Sequence, residues 1–546
     1  MNRFGLLLGC VCALVAASAE TIRLEPPGPG ARRTVSVDPK GAASVVVCTE
    51  VPISGIQEMW TPDLSGPHQQ RKWWIKNLSG PQKDFPYVAF FDVAGRNAFS
   101  FGSGSLEWDN QVSSKINQEK GVFELTLTVA AGKGRALGPF AVTLDRRALD
   151  WTNVLRAWRE TLPYPKGTYP DGAWKPVFCS WYAVHAAVTQ DWTERTAAIA
   201  ADLGFKTFIL DDGWSYDEAK RVNPKTIVTW YRDTGRWDRF STAKFPDFKA
   251  HRERMRALGL KYLVWTAPYF VGTRSEAFKR LGFDRRADKV PFEGNVLTDV
   301  DDAAQMKSVT EQFVRLIRET DLDGLKIDFI DYIAPSVEKP LGAATLAYVE
   351  ELVAAIRAVK PEALIEFRQS YATPVMAHLA TQFRAGDVPF EWLDNLRRIA
   401  QIRLAMGDGV PVHADPIYWA ETETSDNVDR HFLAAMAGVP MVSMDLEKLP
   451  EADRARIRRW LDFYRTRVER FQKAGRWDVR YKNGGVASLV SRLPGATLVL
   501  VNDPDVLPRL SEELRTDDLV VLNLTYEALR LPNGKSVPPA SAFPAD

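Results

Sequence analysis

The chain has 546 residues, 45% of them apolar and 25% charged, which is too long for one hydrophobic core and ordinary for a globular protein of two or three domains. Seventy basic side chains face 69 acidic ones, excluding the strong net field that draws nucleic acid or an anionic membrane. Seventeen tryptophans fit a neutral partner better: most fill cores, but flat aromatic faces also stack on the C–H faces of sugar rings.

The first residues carry a cation at Arg3, an apolar run from Phe4 to Val15, and Ala17 and Ala19 in an A-x-A arrangement. This is the pattern of a secretory signal peptide over residues 1–19, and it predicts export to a periplasm or out of the cell. Leu7-Leu8-Gly9-Cys10 resembles a lipoprotein box, but it leaves too short an apolar stretch before the cysteine to be the favoured reading. No later apolar run approaches the roughly 20 residues that cross a bilayer, so no membrane span is expected. Cys48 and Cys179 remain after cleavage, too few for a disulfide framework or a zinc site.

Residues 20–165 hold short β-branched or alternating runs, such as Ser44–Val47 and Phe123–Val129, separated by Gly, Pro and Asn. They predict a β-sandwich, followed by a helix over Asp150–Thr161. Over residues 172–450 apolar strands alternate with Arg- and Ala-rich helical segments. The strands are Pro176–Ala183, Thr207–Trp214, Leu260–Pro268, Gly324–Asp331, Ala363–Ser370, Thr381–Val388, Val410–Ile417 and Val439–Leu446. That repetition predicts a closed (β/α)8 barrel, and no G-x-G-x-x-G turn follows the first strand as a dinucleotide-binding sheet requires. A helix over Glu451–Ala474 leads into a small β-domain at 475–546. The predicted class is therefore multidomain, α/β plus β: a central TIM barrel with an N-terminal β-sandwich and a small C-terminal β-domain.

Barrel chemistry sits where strands run into the loops that follow them, and here those ends carry carboxylates: Asp211-Asp212, Asp328, Asp387 and Asp415. Cleaving a glycosidic bond needs a proton donor and a second carboxylate that attacks the sugar. Lys326 and Asp328 alternate to the same side of their strand, so the lysine can hold a sugar hydroxyl and favour an ionised Asp328, the form a nucleophile requires. Asp387, two strands further round, suits the general acid/base; its competing reading is a helix N-cap ahead of Pro389-Phe390-Glu391-Trp392. Asp211 and Asp212 can accept from two hydroxyls if the strand ends there, a turn that Gly213 permits. Trp265 is a candidate floor for a sugar, with core packing the alternative. The six histidines include no H-x-H or H-x-x-H cluster, so His413 reads as structural, and no metal or cofactor is expected.

Cys179-Ser180-Trp181-Tyr182, Leu210-Asp211-Asp212-Gly213-Trp214, Arg236-Trp237 with Lys244-Phe245-Pro246, Leu260–Trp265 and Lys326-Ile327-Asp328 resemble, in order, the barrel motifs of glycoside hydrolase family 36, the α-galactosidase family. The resemblance implies a retaining double displacement with Asp328 as nucleophile and Asp387 as acid/base. It further implies that Asp211 and Asp212 hold the 4- and 6-hydroxyls of a terminal galactose and Lys326 the neighbouring ones. The chain departs from the family on two strands, where Glu366-Phe367-Arg368-Gln369-Ser370 and Arg384-Ala385-Gly386-Asp387 replace a Cys/Gly-rich run ending in Arg and a W-T-S-D run. It resembles a divergent branch, in which Arg368 and Arg384 are candidate donors to the 2- and 3-hydroxyls. The expected partner is an oligosaccharide or glycoside; oligomeric state does not carry over. Related readings are an α-N-acetylgalactosaminidase, a β-L-arabinopyranosidase, an α-glucosidase or α-xylosidase, and, from another class, a sugar-binding barrel without turnover.

Overall fold

The computed structural model describes residues 20–63, 74–218, 231–280 and 294–544. The expected signal peptide lies outside the described residues. In the N-terminal part, strands such as Val122–Ala130 alternate buried and half-buried side chains, which places Phe123, Leu125, Leu127 and Val129 on one face. Two five-stranded sheets close on that face, forming the expected sandwich. The helix Trp151–Arg159 begins at Asp150, whose carboxylate accepts from the Thr152 N–H. It buries Trp151, Val154, Leu155 and Trp158 against its neighbours, with Trp158 packed on Phe85 and Tyr87 of the sandwich. The sandwich is also tied to the barrel by a buried hydrogen bond from Trp60 Nε1 to Gln401 Oε1, 2.9 Å.

The barrel strands are β1 (Val177–Cys179), β2 (Thr207–Leu210), β3 (Lys261–Thr266), β4 (Gly324–Ile327), β5 (Leu364–Arg368), β6 (Gln382–Arg384), β7 (Val412–His413) and β8 (Met441–Val442). All run parallel in sequence order, and β8 returns to β1 through Val177↔Met441. Single bridges His413↔Val439 and Ile417↔Val442 complete the ring between β7 and β8. Each strand falls within one of the eight expected segments. The agreement has a physical basis: strands covered on both faces must be apolar along their length, so they stand out as continuous hydrophobic runs. β4 opens at Gly324, where any Cβ would collide with the Leu364 carbonyl of β5. A hairpin, Phe270–Gly272 paired with Asn295–Leu297, is inserted between β3 and β4 and has no counterpart in the sequence reading.

After the barrel, the expected long helix runs over Glu451–Phe463 and Glu469–Ala474, joined by a π-helical turn at Tyr464–Val468. A five-stranded mixed sheet follows, from Arg476–Lys482 to Ser541–Phe543. Among the described residues no helix is long and apolar enough to cross a membrane.

Candidate active site

The strand registers stack the polar side chains in two levels. Lys326, Glu366 and Gln382 sit side by side on β4, β5 and β6, and Arg368 pairs with Arg384 one pleat higher, level with Asp328. At the lower level Lys326 Nζ meets Asp211 Oδ2 at 2.7 Å, both side chains almost fully buried. The direct partner of Lys326 is thus Asp211, two strands away in the ring, while Asp328 acts on the ammonium only through its charge. The Asp211 N–H donates to Ser180 Oγ, and the Cys179 thiol lies 3.3 Å from Asp211 Oδ2, so the end of β1 supports this carboxylate.

β2 does end at Leu210, and Gly213 turns the chain with φ of +106°. A Cβ there would stand 2.5 Å from Ala186 Cα, so the turn requires glycine on both counts. Asp212 Oδ1 accepts from the Gly213 N–H and its Oδ2 from the Tyr216 hydroxyl, 3.0 Å. The turn is held from behind by Lys244, which donates to the carbonyls of Ala186, Gly213 and Glu218. Burial pulls the Lys244 ammonium down to about 8, against the pull of Asp212, Asp217 and Glu218.

At the upper level Asp328 Oδ2 accepts from Trp265 Nε1 at 3.1 Å, and Oδ1 accepts from the Phe329 N–H at 2.9 Å. The Trp265 ring is 2% exposed, enclosed by Tyr231, Trp237 and Phe329. Of the two readings of Trp265, a floor for a sugar and core packing, this burial fits the second, and the ring presents its N–H edge to the carboxylate. Two guanidiniums then span from Asp328 to Asp387. Arg368 lies 3.6 Å from Asp328 and 3.3 Å from Asp387; Arg384 lies 4.0 Å from Asp328 and 2.9 Å from Asp387. Asp387 does not cap the helix Trp392–Met406, whose N-cap is Glu391. Its side chain is 45% exposed, the opening through which the site meets solvent.

These charges fix the protonation of the free site. Partial desolvation among the neighbouring side chains works to raise the Asp387 carboxyl, but Arg368, Arg384 and Lys326 outweigh it and hold the group well below the usual carboxylate range. Asp415, fully buried at the end of β7, behaves oppositely: desolvation pushes it up to about 7 although Arg384 touches it at 2.5 Å. Asp415 also accepts from the Tyr182 hydroxyl at 2.9 Å and from the Val388 N–H at 2.8 Å, anchoring the loop that carries Asp387. The sequence marks Asp415 as a strand-end carboxylate without giving it a role, and it does not single out Glu366 or Tyr182. Asp415 carries the same signal as its neighbours, a carboxylate just past a barrel strand, whereas Glu366 lies inside β5 with no local pattern to mark it. His413 is buried and bonded through Nε2 to the Ala173 carbonyl at 2.7 Å, and desolvation lowers its imidazole to about 4.

No family model and no curated protein sequence matches the chain. Solved structures do match. The α-galactosidase AgaA of Geobacillus stearothermophilus superposes with a TM-score of 0.64 at 13% identity, over 83% of this chain and 67% of that one. The galactosidase domain of the α-galactosidase–sucrose kinase AgaSK gives 0.64 at 15% identity, over 93% and 74%. The chain has the fold of the family 36 glycoside hydrolases. A third structure with this fold, the α-galactosidase TtGalA of Thermus thermophilus in complex with p-nitrophenyl α-D-galactopyranoside, gives 0.55 at 20% identity, over 84% and 95%. At such identities the likeness establishes the family 36 fold, and function has to be argued from the site.

Proposed function

We propose that the protein is a retaining exo-α-glycosidase of the α-galactosidase type. One observation carries the reading: Asp328 and Asp387 face one another at the ends of β4 and β6, spanned by the same two guanidiniums. Asp328 attacks the anomeric carbon while Asp387 gives its proton to the departing oxygen, leaving a glycosyl ester on Asp328. Asp387, now ionised, takes a proton from water, and the resulting attack on the same carbon releases the sugar and frees Asp328. For the first step Asp387 must be protonated. A sugar entering between the two aspartates displaces Arg368, the less buried of the two arginines, which removes part of the restraint on the Asp387 proton. Asp211 and Asp212 accept from sugar hydroxyls, and Lys326 and the arginines donate. The preference for galactose rests on the aspartate pair reading an axial 4-hydroxyl, and on the oligosaccharides found with variants of the Geobacillus enzyme, stachyose and raffinose.

Export is part of this proposal and rests on the N-terminal sequence. A panel of nitrophenyl glycosides tests the activity: release from the α-galactoside above all others is expected, and release only from the α-glucoside or α-xyloside would reassign the sugar. A second reading, a sugar-binding barrel without turnover, is favoured by the double ion pairing of Asp387. It predicts sugar binding with no product from any glycoside.

A further inference from the structure

The loop after Asp387 presents an aromatic ring to solvent from a backbone conformation that phenylalanine rarely adopts. Phe390 has φ of +68°, in the left-handed region where a Cβ is crowded, and its ring is 47% exposed. Burial therefore does not offset the strain, and helix capping does not account for it. Phe390 precedes the N-cap Glu391, which makes no side-chain capping bond. A hydrophobic staple would need an apolar partner at the fourth helical residue, and that residue is Asn395, whose amide is bonded to the Asp415 backbone.

The ring instead leans edge-on against Tyr418, with centroids 4.9 Å apart at 68°. Tyr418 lies 5.9 Å from Tyr182, whose hydroxyl donates to Asp415, the anchor of the Asp387 loop. Phe390 is thus fixed relative to Asp387 both along the chain and through this row of rings. Three aromatic rings are exposed among the described residues, Trp74, Phe390 and Tyr526, and of these only Phe390 lies on a loop leaving a barrel strand. On the other side, the rings near Asp328 are packed among themselves: Phe329, Trp265 and Phe270 are 8%, 2% and 0% exposed.

We propose that Phe390, backed by Tyr418, is the stacking platform for the leaving-group sugar, the pyranose joined to the residue that is cleaved off. The inference rests on Asp387 as the acid, because the group that protonates the bridging oxygen must stand on the leaving-group side. A pyranose presents a face of C–H bonds to the electron-rich face of an aromatic ring. The ligand class is therefore a neutral oligosaccharide with at least one pyranose beyond the terminal sugar.

The test compares kcat/KM on an α-galactosyl disaccharide with kcat/KM on α-galactosyl fluoride, whose leaving group has no ring. Phe390→Ala is expected to lower the disaccharide-to-fluoride ratio about tenfold, the order of one lost ring contact, and Phe390→Trp to restore it. An unchanged ratio in Phe390→Ala overturns the platform. Calorimetry in an Asp328→Ala background separates this from the catalytic reading: Phe390→Ala should weaken the disaccharide about tenfold relative to free galactose. If the wild type cleaves neither substrate the glycosidase reading fails, and this affinity ratio decides the platform alone: a loss supports it and no change overturns it.

Discussion

Arg368 is the side chain whose removal most directly exposes the electrostatics of the site. Its guanidinium lies 3.3 Å from Asp387, and the two side chains are 20% and 45% exposed. At about 4 Å two unit charges interact by about 1 kcal/mol in water and about 4 kcal/mol at an effective dielectric constant of 20. A half-exposed carboxylate belongs near the lower figure, because solvent screens it. Arg368→Met should therefore raise the Asp387 carboxyl by about one pH unit, at about 1.4 kcal/mol per unit. Arg384, still 2.9 Å away, keeps part of the depression. An acid works in its protonated form, so a higher value extends activity to higher pH. The alkaline limb of kcat/KM against pH, measured on an α-galactosyl disaccharide, should move up by about one unit in Arg368→Met. In Arg368→Lys, which keeps the charge, it should stay near its wild-type position. An unmoved limb in the folded Met variant, or an equal shift in both, would mean that the Arg368 charge does not hold down the Asp387 proton.

Asp387→Asn should slow hydrolysis of a disaccharide by about 100-fold or more and of a nitrophenyl or fluoride leaving group much less, since these depart without a proton; equal losses on both substrates would remove Asp387 from the acid role. Gly213→Ala places a side chain at φ of +106° and a Cβ 2.5 Å from Ala186, and should cost about 2 kcal/mol or more of stability, read as a lower Tm together with weakened sugar binding. The imidazoles of His413 and His431 are held near 4 by burial, against an ordinary value of 6.5. The unfolded chain then takes up protons that the folded one refuses, so stability is intact above pH 6.5 and falls as the pH drops towards 4. Chemical denaturation at stepped pH should show this slope, and it should be shallower in His431→Gln. Asp211→Asn removes the carboxylate 2.7 Å from the buried Lys326 ammonium, and about 3 kcal/mol of stability should be lost; a Tm unchanged from wild type would contradict the pairing.

The barrel was legible because its strands are buried on both faces and so read as apolar runs, and because the carboxylates stand where those runs stop. Even β7 and β8, only two residues each, lie inside the expected segments. Side-chain partners were less legible, because they depend on register between strands far apart in sequence. Lys326 and Asp211 are 115 residues apart, and periodicity along β4 tells only that Lys326 and Asp328 share a face. The same limit applies to Trp265: a tryptophan on a barrel strand is visible in the sequence, but whether it offers a ring face or an N–H is set by Tyr231, Trp237 and Phe329 around it. Arg368 and Arg384, marked as departures on β5 and β6, prove to be the groups that span the proposed catalytic pair. The backbone of Phe390 leaves no trace in the sequence, since nothing around it marks a left-handed residue.

In the proposed double displacement Asp328 forms a covalent bond to the sugar. A fluorinated galactosyl fluoride that reacts in the first step and stalls in the second should accumulate this ester, and intact-mass spectrometry followed by peptide mapping would locate it. One added glycosyl unit on the peptide containing Asp328, absent in Asp328→Ala, is the predicted result. A label on another carboxylate, or turnover of the α-galactoside by Asp328→Ala at the wild-type rate, would rule out Asp328 as the nucleophile.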